Sequence, residues 1–246
     1  MTYPIPILMY HQIDMPPAEA KLRSLYVHPH SFARQMRLLQ RLGYQAMCLS
    51  KLTPYLRGQR QGKVIGITFD DGYLDNLQNA LPVLIQHGFS ATCYVISDNI
   101  GKYNTWNVHR VGVRKTLMSK EHIQEWLAAG LEVGSHSVSH PHLTQCRRPE
   151  AWRQLVDSKR ALEDQFSLGI EHFCYPYGEY NPEIRAMAAE AGYQTSTTTC
   201  RSRVWPADDL LALPRVAVYY STWLYLFWMK INTSYEDQRF VASSLI

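Results

Sequence analysis

"VIGITFDDGY", residues 64–73, sets a nearly unbroken apolar run ahead of two adjacent aspartates and a glycine. A run without polar alternation predicts a strand covered on both faces, as in parallel sheets. Asp70 and Asp71 then fall at its C-terminal end, where parallel α/β folds gather function. On either side, short β-type runs alternate with helical runs. Strands are expected at 4–10, 44–49, 90–97, 131–135, 172–176, 193–198 and 210–219. Helices are expected from a Ser31 cap to Leu42, over 74–87 with Gly88 as the stop, and over about 119–129, 149–166 and 181–191. The alternation predicts an α/β chain whose parallel sheet closes into a distorted (β/α)7 barrel, as one domain over 1–246. Segments 14–28 and 98–117 carry no such pattern and read as functional loops.

The totals narrow the function classes. The 246 residues carry 25 Lys+Arg against 21 Asp+Glu, a net charge of +4, with 46% hydrophobic and 19% charged residues. No Lys/Arg cluster has the density of a nucleic-acid patch. Cys48, Cys93, Cys146, Cys174 and Cys200 are odd in number and widely spaced, which reads as thiols in a reducing compartment. The opening MTYPIPILMYHQID has neither a cationic start nor a long apolar core, so a cytoplasmic location is the expectation. The apolar run 223–231 is far short of the ~20 residues of a membrane span. A helix packed on the barrel is the expectation there, and an interfacial membrane anchor the alternative.

A second motif closes the expected strand at 131–135: "SHSVSH", with His136 and His140 four residues apart. On a helical turn that spacing sets both imidazoles on one face, a metal-ligand spacing. One carboxylate added gives a His-His-Asp set with positions left for water and substrate, the make-up of a hydrolytic site. The paired aspartates then have a rationale: one binds the cation, the other takes a proton from water, and the cation offsets their repulsion. The competing reading is that the aspartates cap the next helix and the histidines are surface residues before Pro141.

"TFDDGY" and "HSVSH" together resemble the first two motifs of the NodB-homology polysaccharide deacetylases, carbohydrate esterase family four. "FSATCYVI" (89–96), "LAAGLEVGSHSVSHPHLT" (127–144) and "FCYPYGEYN" (173–181) extend the resemblance along the chain. It implies a distorted (β/α)7 barrel. It implies Asp71, His136 and His140 as metal ligands, Asp70 as general base, and Tyr177, after Pro176, as the residue whose backbone N–H holds the oxyanion. Ligand type points to Zn2+, and the same set suits Ni2+, Co2+ or Fe2+.

The chain also departs from the common pattern. Cys174 stands where an arginine is usual, the Asp-x-x-Asp-Trp motif is missing, and no histidine follows His172 to serve as the usual acid. "PILMYHQI" (6–13) and the Y-P-Y-G motif instead resemble the poly-β-1,6-N-acetylglucosamine deacetylases of biofilm systems, where the acid histidine sits on the N-terminal strand. That implies His11 as the acid, the alternative being a core histidine satisfied by a backbone carbonyl; Arg215 in "LPRV" is a candidate replacement arginine for Asp70 or else a surface or strand-end cation. Trp106 and Asn107 are candidates to line a sugar subsite, whereas His109 and His142 are not expected to be ligands.

The reading is a metal-dependent hydrolase that removes N-acetyl groups from an N-acetylated oligo- or polysaccharide, without a nucleic-acid partner or a transmembrane segment. Alternatives are another amide or an O-acetyl ester as substrate, or a glycan-binding protein without turnover. The resembling branch acts outside the cytoplasm, so a periplasmic or envelope location is the alternative if a leader has been removed.

Overall fold

The computed structural model describes residues 4–238, so both ends of the expected 1–246 domain lie outside the described residues. Its strands are β1 (Ile7–Tyr10), β2 (Gln45–Met47), β3 (Val64–Phe69), β4 (Thr92–Val95), β5 (Glu132–Ser135), β6 (His172–Cys174), β7 (Thr195–Arg201) and β8 (Leu213–Ala217). All pair in parallel, in the order β1-β8-β7-β6-β5-β4-β3, and β3 returns to β1 with Tyr10 opposite Phe69. Seven strands therefore close a barrel, the fold implied by the resemblance. The distortion lies at β3: β2 pairs with its first half and β4 with Thr68 and Phe69 at its end.

The helices are α1 (Pro29–Arg41), α2 (Leu49–Leu56), α3 (Leu81–Gln86), α4 (Val108–Val111), α5 (Lys120–Ala128), α6 (Arg148–Phe166), α7 (Pro182–Glu190) and α8 (Leu224–Asn232). The cap of α1 is His28, whose ring accepts from the His30 N–H (3.1 Å), with Pro29 in the first turn. Ser31 therefore lies inside the helix rather than at its start, because proline's fixed φ suits the first helical position. Helix α2 was not expected from the pattern. It is short and contains Pro54, but it buries Leu49, Leu52 and Leu56 in a small cluster with Ile7, Val64 and Leu213. Tertiary burial outweighs weak local propensity there.

The expected 74–87 helix is interrupted by a π turn, Asn76–Ala80, in which the Leu81 N–H reaches back to the Asn76 carbonyl. Pro82 follows at once and has no N–H for a regular ladder. Such π turns recur at functional sites, and this one follows the paired aspartates. On the outer layer, the rings of Tyr10 and Phe32 (5.3 Å) and of Phe69 and Trp126 (5.7 Å) pack strands against helices. No disulfide joins the cysteines. No helix among the described residues is long and apolar enough to cross a membrane.

Candidate metal centre and active site

Asp70, Asp71, His136 and His140 all follow the C-terminal ends of strands, the first pair after β3 and the second after β5. All four side chains are buried. His136 and His140 do not share a helical turn: residues 136–140 form an irregular bend. Ser137 (φ 68°) and His140 (φ 61°) are both left-handed, and the Ser137 hydroxyl accepts from the His140 N–H at 2.9 Å. The i, i+4 spacing thus brings the rings together by a reversal of the chain, which leaves their centroids 4.7 Å apart.

Left-handed backbone recurs around the site. Of the five described non-glycine residues with positive φ, four are Asp71, Ser137, His140 and Tyr177, and the fifth, Ser167, ends α6. Each such conformation costs on the order of 1 kcal/mol or more and persists where function or packing demands it. Gly178, next to Tyr177, is also left-handed, and a Cβ there would collide with the Thr199 backbone nitrogen and hydroxyl. That close approach holds the third motif against β7.

The donors of Asp71, His136 and His140 lie within 4.8 Å of one another. Asp71 Oδ1 is 3.4 Å from His136 Nε2 and 3.6 Å from His140 Nε2, and it has no hydrogen-bond partner among the described residues. Ligands about 2.0 Å from a tetrahedral ion stand about 3.3 Å apart. The observed spacing is close to that edge and long for a hydrogen bond. His136 Nδ1 is 2.7 Å from the Cys174 carbonyl, which places its proton there and leaves Nε2 as a donor to a metal. Burial, together with the neighbouring His136, pulls the His140 pKa down to about 3, so its imidazole stays neutral as a ligand must. An uncapped buried carboxylate oxygen and two imidazole nitrogens fit a divalent cation, which would displace the proton that the Cys174 and Asp71 contacts hold on His136.

Arg215 enters from β8 and lies buried inside the barrel. Its two terminal nitrogens each donate to Asp70 at 2.7 Å, and its Nε donates to the Thr198 carbonyl at 2.8 Å. Burial pushes the Asp70 carboxyl up, but the Arg215 charge and hydrogen bonds more than offset this and hold it well below the usual carboxylate range. Arg215 also donates to the Cys174 sulfur at 3.3 Å, so the cysteine that stands in the usual arginine's place touches the arginine that grips Asp70. His11, half-buried after β1, lies 3.8 Å from Asp70 through Nε2.

Tyr177 packs edge-on against His140 (4.5 Å) and stacks on His142 at 3.9 Å. His142 is held by Glu179 at 2.9 Å, a bracing pair that no motif marks. The Trp106 ring is 5.2 Å from His140, on the rim. With its amide turned to the orientation that suits its neighbours, Asn107 donates to the Asn104 carbonyl and accepts from Trp106 Nε1, both at 3.2 Å, so it is engaged by its own loop. Pro176 is buried and starts the tight turn that carries Tyr177. His109 is exposed. Asp75 was missed: it accepts the Ile13 N–H at 2.8 Å and pairs with Lys115 (3.5 Å), which also pairs with Asp14 (2.5 Å). These contacts clasp loops 14–28 and 98–117 together. An aspartate four residues after Asp71 was the available signal.

Residues 57–196 match the family model described as polysaccharide deacetylase. The chain is 31% identical over 216 residues to the YxkH protein of Bacillus subtilis (strain 168), covering 87% of this chain and 71% of that one. It is 25% identical over 212 residues to the poly-beta-1,6-N-acetyl-D-glucosamine N-deacetylase of Staphylococcus epidermidis, covering 80% of this chain and 70% of the relative. Among solved structures it is similar to the Streptococcus pyogenes deacetylase PplD in complex with acetate, with TM-score 0.81 and 26% identity over 94% of this chain and 99% of that one. The chain belongs to the polysaccharide deacetylase family, and it is a hydrolase of that kind.

Proposed function

We propose that the protein is a metal-dependent N-deacetylase of polymers of N-acetylated hexosamine, with Asp70 as base and His11 as acid. The observation that carries this is the position of Asp70. Arg215 grips it from within the barrel, His11 lies beside it, and the Asp71–His136–His140 donor set adjoins it. A divalent cation held by that set, Zn2+ by ligand type, supplies Lewis acidity toward the acetyl carbonyl and toward water. Asp70, ionised and fixed in orientation, accepts the proton of the attacking water. The Tyr177 N–H is the donor assigned to the oxyanion, an assignment that rests on the family resemblance and on the turn that holds Tyr177 beside His140. His11 protonates the departing amine, and acetate and a free amino sugar leave. The Staphylococcus epidermidis relative, by its name, favours a β-1,6-linked N-acetylglucosamine polymer as the substrate.

Acetate release tests this, with poly-β-1,6-N-acetylglucosamine, chitin oligomers and an O-acetylated xylan as substrates and Zn2+ present. Wild type should release acetate from an N-acetyl polymer, and Asp70→Asn should lose about 10²–10⁴-fold in kcat. Release from the xylan alone would replace the amide reading by an ester one. Full activity in Asp70→Asn would remove Asp70 from the mechanism.

A further inference from the structure

A row of aromatic side chains leaves the catalytic mouth and runs along the outside of the barrel. The Val218 N–H donates to the Met9 carbonyl at 3.0 Å, so the chain leaves β8 level with Tyr10 and His11. Tyr219 and Tyr220 come next, both exposed, and α8 follows with Trp223, Tyr225 and Trp228 exposed by 64%, 56% and 37%. The ring centroids of Trp223 and Tyr225 are 5.4 Å apart. Those of Tyr225 and Trp228 are 6.0 Å apart with planes inclined by only 19°. The opposite face of α8 is committed: Phe227 and Ile231 are buried in the core, and the Ile231 carbonyl lies 3.4 Å from the Tyr44 hydroxyl.

Charge identifies the occupant. Residues 216–229 contain no Asp, Glu, Lys or Arg. Lys230, the one cation of α8, is turned inward, buried and paired with Glu236 at 2.6 Å. Two single cations border the band, Arg23 at 5.8 Å from the Tyr220 ring and the inward-turned Lys230 at 5.8 Å from the Tyr219 ring. An anionic membrane surface is read by clusters of basic residues beside the aromatic ones, and α8 presents none outward. Tyr and Trp offer a flat apolar face with a polar edge. The C–H face and hydroxyl rim of an uncharged pyranose match that pattern, and a polymer whose one residue is in the mouth must continue past its rim.

We propose that Tyr219, Tyr220, Trp223, Tyr225 and Trp228 form a platform on which the unreacted part of a neutral, N-acetylated polysaccharide lies. The inference rests on the deacetylase reading for the direction of the chain, but platform binding does not require turnover.

Native electrophoresis in gels cast with poly-β-1,6-N-acetylglucosamine tests it, with Asp70→Asn to prevent conversion of the polymer. The polymer should retard this protein, and adding Trp223→Ala, Tyr225→Ala and Trp228→Ala should weaken the retardation about tenfold. Trp223→Tyr with Trp228→Tyr should keep most of it, which separates a stacking role from damage to the fold. In the otherwise wild-type enzyme, the triple alanine variant should raise KM for the polymer about tenfold and leave hydrolysis of 4-methylumbelliferyl acetate unchanged. Equal retardation with and without the aromatic rings, or no retardation at all, would overturn the platform. So would an unchanged polymer affinity in a triple variant that has lost binding to phosphatidylglycerol vesicles or lost a dimer by sedimentation velocity. Ring-dependent retardation without acetate release by the wild type would support the platform and sink the deacetylase reading instead.

Discussion

Two histidine–carboxylate pairs, one fully buried and one with a half-buried carboxylate, stand at opposite ends of this barrel. At the C-terminal end His136 lies 3.4 Å from Asp71, and at the N-terminal end His172 lies 3.6 Å from Glu132. By residue type and separation they are nearly alike, and a cavity of about 310 Å3 even opens beside the second pair. Their surroundings differ. Glu132 takes the Thr92 hydroxyl (2.6 Å) and the Ser50 N–H (3.1 Å), and His172 pairs with the Thr195 hydroxyl (2.8 Å). Both residues open regular strands. An unpartnered buried atom is common to both ends among the described residues, His172 Nε2 at one and Asp71 Oδ1 at the other; at the Asp71 end, however, the donors converge through left-handed backbone, and Arg215 and Asp70 stand behind them. A histidine–carboxylate pair inside the barrel is therefore ordinary architecture. Further donors brought in by costly backbone are what distinguish the candidate centre from a strut.

The largest expected contrast is in metal content. Asp71→Asn should purify without bound Zn2+ and release no acetate above background, whereas Glu132→Gln should keep its metal and about half or more of its activity. Atomic absorption with an acetate assay reads both, and the reverse result would move the centre to the other end of the barrel. Next is Arg215→Met, which strands the buried Asp70 charge. Loss of one partner of a buried pair costs about 3–5 kcal/mol, against about 1–2 kcal/mol for the hydrogen bond lost in His172→Gln. Urea unfolding at neutral pH should rank them in that order.

His11→Ala should lower kcat about 10²-fold with metal content unchanged. A variant as active as wild type would leave the acid unassigned. The smallest contrast is in pH dependence. Burial, aided by the Lys159 charge, pulls the His172 pKa down to about 3. The folded imidazole therefore stays neutral while the unfolded one protonates near 6.5. The unfolded state then binds the extra proton, so stability falls as pH drops from about 6.5 toward 3, by about 2 kcal/mol at pH 5 from this group. Glu132, raised by burial, slopes the opposite way. His172→Asn should narrow the difference in thermal midpoint between pH 7 and pH 5, and a wider difference would contradict the sign.

Much of the fold was legible because β1 and β3 are nearly continuous apolar runs, short β-type segments alternate with helical ones, and the longer helices carry clear stops. The parts that were not legible depend on partners far along the chain. Helix α2 exists through burial against Ile7 and Leu213. The start of α1 was misread because Ser31 is a common cap, while His28 and Pro29 form an equally good start by a less frequent means. At the site, the residues were legible and one geometric reason was not: His136 and His140 meet through a bend that spacing alone cannot distinguish from a helical turn.

The alternating α/β order, the two motif-bearing strand ends and the donor types could be read along the chain, because periodicity and local spacing are properties of sequence neighbours. The closed fold turned the candidate pairing of Arg215 with Asp70, 145 residues away, into a contact, and it alone showed that Tyr177 is braced by His142 and that the aromatic row of α8 faces outward. Those relations arise when a closed sheet brings β8 beside β1 and aims their ends at one mouth, and ring closure is a property of the whole chain.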